Sequence, residues 1–261
     1  MKYETIVFET AGAVATITLN RPDKLNALNP RMFADLGAAL DRFEADATLR
    51  CLMITGEGRG FCAGADLTAR DMESAAPDLG QSLIERYNPL VLRLTGLDRP
   101  VVAAVNGVAA GAGCNLALAA DIVIAGRSAS FMQAFVRIGL MPDAGGTWVL
   151  PRLAGQARAM GLAMLGDALP AEKAAEWGLI WDCVDDDVLM AEAGELAARL
   201  ARGPTLALGH IKSAIRAATA NGLEDQLALE ARSQAVLGRS DDYREGVLAF
   251  REKRPAAYRG T

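Results

Sequence analysis

Residues 101–126, VVAAVNGVAAGAGCNLALAADIVIAG, decide how this chain is read. The run is long enough to cross a bilayer, but Asn106, Asn115 and Asp121 interrupt it, and Ala and Gly dominate over Leu and Ile. Gly107 and Gly111 match GxxxG, a pattern with meaning only in a wholly apolar context. β-Branched clusters at both ends, with small residues between, predict instead a buried strand over 101–105, a tight turn, a buried helix over 112–120 and a strand over 122–125. No membrane span is expected.

The same alternation extends outward on both sides. Ile6, Phe8, Val14, Thr16, Thr18 and Leu19 form two β-like runs about an Ala11-Gly12 turn, a hairpin signature. Asn29-Pro30 reads as the N-cap and first residue of a helix, with Met32, Phe33, Leu36, Leu40 and Phe43 at helical spacing. Residues 51–55 form a short strand that runs into the glycine-rich stretch 56–64. Residues 68–79, polar and containing Pro77, are the candidate mobile loop. Helices are expected over 81–95 and 154–165, with another opened by Pro170 and ended by Gly178. Beyond Val188 only helices follow, over 189–202, 205–220, 223–237 and 241–253. The fold class is therefore α/β with a helical C-terminal region, divided near residue 200 into a core (1–200) and a helical segment (201–261).

Composition narrows the function. Of 261 residues, 51% are hydrophobic and 23% charged, which suits a packed globular core. The net charge of −5 argues against a broad nucleic-acid surface, although a local Lys/Arg cluster could still hold an anion. Cys51, Cys62, Cys114 and Cys183 lack CxxC spacing and follow no leader, so free thiols in the cytoplasm are expected. Phosphate-loop, zinc-protease and serine-hydrolase signatures are absent, and Gly111-Ala112-Gly113 lacks the third glycine of a dinucleotide fingerprint. The single histidine, His210, on an expected helix, leaves no His-dependent triad and is read as structural. No metal site is expected.

Three segments could carry chemistry. Gly60-Phe61-Cys62-Ala63-Gly64-Ala65-Asp66-Leu67 is a small-residue turn after a strand, and Asn106 to Cys114 is a turn leading into a helix. Either could expose main-chain N–H groups to an oxygen anion, the second with a helix dipole behind it; either could equally be small to permit close packing. The third is Gly139-Leu140-Met141-Pro142-Asp143-Ala144-Gly145-Gly146-Thr147, where Asp143 is a helix cap or a general base.

Taken together and in order, these segments resemble the crotonase (enoyl-CoA hydratase/isomerase) superfamily over nearly the whole chain. Asn20-Arg21-Pro22 with Leu25-Asn26-Ala27-Leu28, and Ala249-Phe250-Arg251-Glu252-Lys253-Arg254-Pro255, complete the pattern. The resemblance implies a spiral of ββα turns and a homotrimer or dimer of trimers. It implies an acyl-CoA substrate with no separate cofactor, the thioester oxygen being held by the N–H groups of Ala65 and Ala112. CoA would lie along Lys24, Leu25, Ala27, Ala63, Asp66 and Leu67, with Phe250 and Lys253 supplied by a neighbouring subunit.

The departures are equally informative. The two water-activating glutamates of the family's hydratases fall on Asn115 and Phe135, neither of which is an acid or base at neutral pH. The carboxylate is instead Asp143, aligned with a position used by the family's isomerases and, as a nucleophile, by an aryl-CoA dehalogenase. Met141-Pro142-Asp143, Gly145-Gly146-Thr147-Trp148 and Glu176-Trp177-Gly178 resemble the branch that turns ring-1,2-epoxyphenylacetyl-CoA into an oxepin and shifts 3,4 double bonds to 2,3. Isomerisation is the expectation, with Asp143 as base and Asn115 orienting substrate or water; hydration and thioester hydrolysis or dehalogenation are the alternatives.

Overall fold

The structure is a computed structural model that describes residues 3–69 and 78–261. The chain opens with the hairpin β1 (Ile6–Ala11) and β2 (Val14–Leu19), paired antiparallel from Ile6↔Leu19 to Ala11↔Val14, so the turn is Gly12-Ala13, one residue later than expected. Gly12 takes φ +57°, open to glycine at no steric cost. Helix α1 (Pro30–Ala45) begins as predicted: the Asn29 side chain accepts from the Met32 N–H, and Met32, Leu36, Leu40 and Phe43 turn one face into the core.

From there the chain alternates between two sheets. Strands β3 (Cys51–Gly56) and β4 (Gly60–Cys62) are followed by α2 (Leu79–Ser82), a π-helical stretch (Leu83–Tyr87) and α3 (Asn88–Gly96). Then come β5 (Val101–Val105), β6 (Val108–Ala110), α4 (Ala112–Leu118), β7 (Ile122–Gly126) and β8 (Ser130–Met132). Helices α5 (Gly146–Ala154) and α6 (Gln156–Leu165), strand β9 (Ala168–Pro170), helix α7 (Ala171–Glu176) and strand β10 (Asp182–Val184) close the spiral. One sheet has six strands in the order β1-β2-β3-β5-β7-β10, and the other four in the order β4-β6-β8-β9. Each turn of the chain thus gives one strand to each sheet, which is the expected spiral.

The entire four-stranded sheet departs from the sequence expectation. Its strands are three residues long, too short to show an alternating pattern, and β4 and β6 lie within the small-residue stretches read as turns. Helix α5 follows Asp143, with Gly145 rather than Asp143 at its N-cap position, and Gly155 at φ +81° separates it from α6.

Helix α8 (Leu189–Arg202) covers one face of the six-stranded sheet, burying Leu189, Ala193, Ala197 and Ala201 against Cys51, Met53, Val102, Ala104 and Ile124. The opposite face, with α1, α3 and α4, forms the main core around Phe43, Phe61 and Phe131. Helices α9 (Thr205–Ala217), α10 (Leu223–Leu237) and α11 (Asp241–Glu252) follow. Lys212 ties α9 down: its ammonium donates to the Leu94 and Arg99 carbonyls and pairs with Asp121 at 2.8 Å, while Arg216 takes the other Asp121 oxygen at 2.9 Å. His210, on the same helix, is half-buried in a cleft between α9, α10 and the C-terminal residues. Among the described residues no helix is long and apolar enough to cross a membrane. Of the expected mobile loop at 68–79, residues 70–77 lie outside the described residues.

Candidate active site

Residues 25–28 and 63–66 are laced together by main-chain hydrogen bonds. The Leu28 N–H donates to the Gly64 carbonyl at 2.7 Å, Asp66 N–H to Leu28 at 2.9 Å, and Ala63 N–H to Leu25 at 2.9 Å. Leu25 and Asn26 are both left-handed, at φ +47° and +57°, a strained pair that needs outside support. Asn26 supplies it. Its wholly buried side chain accepts from Arg21 N–H and donates to the Glu57 and Gly60 carbonyls. Arg21 also reaches the Ala27 carbonyl and forms a 2.8 Å ion pair with Asp66. Nothing in the hydropathy pattern singles out Asn26; a polar residue between two apolar ones in a loop is an ordinary sight.

This arrangement gathers six of the expected CoA-binding residues in one place: Lys24 and Leu67 exposed, Leu25 and Ala63 half-buried, Ala27 and Asp66 buried. The Asp66 carboxylate is already engaged, by the Thr68 hydroxyl and N–H as well as by Arg21, and these donors hold its pKa below the usual aspartate value.

The second turn lies directly against the first. Strand β6 pairs in parallel with both β4 and β8, and the Gly111 N–H donates to the Met132 carbonyl. A Cβ on Gly64 would stand 2.7 Å from the Ala110 oxygen and 3.3 Å from the Ala112 nitrogen; one on Gly113 would stand 2.2 Å from the Cys62 oxygen. Ala65 follows the first of these glycines, and Ala112 is the first residue of α4. Among the described residues no main-chain carbonyl accepts from either amide. The two amides thus belong to turns packed in contact, and that of Ala112 opens a helix.

Asp143 reaches the same region through α4. Asn115, one helical turn after Ala112 and 1% exposed, donates from Nδ2 to the Asp143 carbonyl at 2.8 Å and accepts from Gln133 Nε2 at 2.9 Å. Asp143 itself is half-buried, with Oδ1 shielded from solvent. Each end of the Asn115 amide is thus engaged by one protein group, the Asp143 carbonyl and the Gln133 amide. Phe135 is buried with its ring 3.6 Å from where a Gly111 Cβ would be, so an aromatic edge packs on the Gly111 turn. Cys62 and Cys114 lie beneath these turns with thiol pKa values pushed up to about 12 by burial, so neither offers a thiolate. Gln133, 1% exposed, escaped the sequence reading; a polar residue at the end of a buried strand was the available signal.

Phe250 and Lys253 stand apart. Phe250 is 85% exposed on α11, where it borders a groove with Leu206, Ala207, Leu237 and Tyr243. Lys253 is exposed at the left-handed end of the same helix.

The family model for enoyl-CoA hydratase/isomerase matches residues 9–261. The chain belongs to the enoyl-CoA hydratase/isomerase family. Within this crotonase family it is 56% identical over 259 residues to the 1,2-epoxyphenylacetyl-CoA isomerase of Escherichia coli (strain K12), covering 98% of this chain and 99% of that one. It is 52% identical over 260 residues to a probable enoyl-CoA hydratase of Rhodobacter capsulatus, with both chains covered in full. The crystal structure of a putative enoyl-CoA hydratase from Streptomyces coelicolor superposes with a TM-score of 0.93 at 38% identity, over 100% of this chain and 96% of that one. The crotonase spiral expected from the resemblance is the fold of this chain.

Proposed function

We propose that this crotonase is an acyl-CoA isomerase that rearranges ring-1,2-epoxyphenylacetyl-CoA to the oxepin and moves a 3,4 double bond to the 2,3 position. The observation that carries the reading is the replacement of a glutamate pair by Asn115, whose amide donates to the Asp143 carbonyl and accepts from Gln133, and Phe135, with Asp143 as the carboxylate beside them. The 56% identity to an isomerase supports it.

In double-bond migration, the Asp143 carboxylate takes a proton from the carbon α to the thioester. The electrons move onto the carbonyl oxygen, where the Ala65 and Ala112 N–H groups stabilise the dienolate. The same carboxyl returns the proton at the γ-carbon, and the double bond comes to rest in conjugation. Losing one such donor costs about 2.7–4 kcal/mol of transition-state stabilisation. The proton removed is the proton returned, so the step balances without oxidant, reductant or metal, and CoA enters only as part of the substrate. With the epoxide, polarisation of the same carbonyl assists ring opening and expansion.

Lys24, Leu25, Ala27, Ala63, Asp66 and Leu67 would carry the CoA nucleotide. A homotrimer or dimer of trimers, assembled through residues 201–261, would bring Phe250 and Lys253 of a neighbouring copy over it. Three buried thiols and one half-buried one suit the cytoplasm. No nucleic-acid or membrane partner is proposed.

The test is Asp143→Asn, assayed with a 3,4-enoyl-CoA by the appearance of the conjugated thioester. Turnover should fall about 10²–10⁴-fold with CoA binding retained; wild-type turnover would remove Asp143 from the mechanism. A hydratase reading is favoured by the 52% identical relative, and crotonyl-CoA separates the two: an isomerase leaves its enoyl absorbance in place.

A further inference from the structure

Resting on Asp143 as the base, we infer that Asn115, backed by Gln133, is a positioning residue that fixes the Asp143 carboxylate relative to the Ala112 amide. The orientation of both side chains is determined by chemistry. Only the NH₂ end of Asn115 can donate to the Asp143 carbonyl, so its oxygen must face Gln133, and Gln133 must present its own NH₂ in return. Gln133 also donates to Cys114 Sγ at 3.3 Å, and its Oε1 is buried with no donor among the described residues. A buried acceptor without a donor is destabilising, and apolar side chains of similar shape would fill the space without that penalty. Packing alone does not account for the relay; what it holds does.

It holds a strained turn. Ala144 has φ +47° and Gly145 φ +83°, two consecutive left-handed residues between Asp143 and the start of α5. For alanine that conformation is unfavourable and persists only when its surroundings impose it. Two bonds converge on the Asp143 carbonyl, from Asn115 Nδ2 and from the Gly146 N–H, both at 2.8 Å. The fit is tight: a Cβ on Gly146 would lie 2.4 Å from Asn115 Nδ2. Asn115 and Ala112 are one turn apart on α4, so a single rigid helix carries both the amide that receives the oxygen and the clamp that places the base. Without the clamp the turn is free to relax, and the carboxylate moves off the α-carbon while the CoA contacts stay in place.

The experiment measures kcat and KM on the full chain with a 3,4-enoyl-CoA for Asn115→Ala, Gln133→Met and Gly146→Ala, alongside thermal unfolding. Misplacing a reacting group by an ångström costs about 10²-fold, so Asn115→Ala should lose about that in kcat with KM unchanged. Gly146→Ala should do the same by displacing the amide, and Gln133→Met should show a smaller loss in the same direction. Asn115→Asp adds a signature that a purely structural role does not give. Its carboxyl can donate to the Asp143 carbonyl only while protonated, so kcat should decline with rising pH over a range where the wild type does not. A folded Asn115→Ala with wild-type kcat, a loss confined to KM, or an Asn115→Asp pH profile identical to the wild type overturns the inference. If Asn115→Ala does not fold, full kcat in Gln133→Met does so. Retained turnover in Asp143→Asn is a different failure, that of the proposed base itself.

Discussion

Gly64→Ala tests whether the two turns must touch for the chemistry to proceed. The new Cβ would be placed 2.7 Å from the Ala110 oxygen, whereas carbon–oxygen contacts settle at roughly 3.3 Å, so the turns must separate by about 0.6 Å. A donor that sat at about 2.9 Å from the substrate oxygen would then stand at about 3.5 Å, at the limit of a useful hydrogen bond. The consequence for turnover is most of one oxyanion donor, about 10²–10³ in kcat. Stability falls as well. The φ of +88° costs an alanine about 1–2 kcal/mol and overpacking adds about 1–3. At about 2–4 °C per kcal/mol for a chain of this size, melting should drop by roughly 4–20 °C. Two further variants divide the effects. Gly12→Ala has a positive φ but nothing within 4 Å, so it should lose stability alone. Gly113→Ala has no positive φ, but its Cβ would meet the Cys62 oxygen at 2.2 Å, so it should lose activity by forcing the other turn. Initial rates on a 3,4-enoyl-CoA with calorimetry on the same samples provide the assay. A Gly64→Ala enzyme with lowered melting temperature and unchanged kcat refutes the idea that these amides hold the oxygen.

Other expectations follow from the charges and thiols. The Asp66 pKa is lowered in the fold by the Thr68 hydroxyl and by Arg21, so its contribution is present above the unfolded value near about 3.9 and fades as pH falls through the lower folded value. Asp66→Asn should therefore flatten the acid limb of a stability–pH curve; an unchanged limb counts against that pairing. Lys212→Met removes the buried partner of Asp121 and three anchoring bonds of α9, and should cost about 3–5 kcal/mol in urea unfolding, less whatever Arg216 recovers. Mild alkylation of the folded protein should modify Cys183 ahead of Cys51, Cys62 and Cys114, which burial holds at about 12; peptide mass mapping before and after unfolding reads the order.

Much of this molecule is written in local pattern. The faces of α1 and α8, the hairpin, and the buried strands β3, β5 and β7 follow from period and capping, because burying an apolar face stabilises the fold more than any other contribution and leaves a periodic trace. The ordered small-residue turns and Asp143 also led from sequence to the right family. The four-stranded sheet left no such trace: strands only three residues long are set by neighbours brought alongside, not by their own preferences. The same holds for the roles of Asn26, Asn115 and Gln133. Each is an amide whose partners lie in distant segments, as with Asn115 and Asp143, and only the folded chain determines whether such a group faces a ligand or braces the backbone that does.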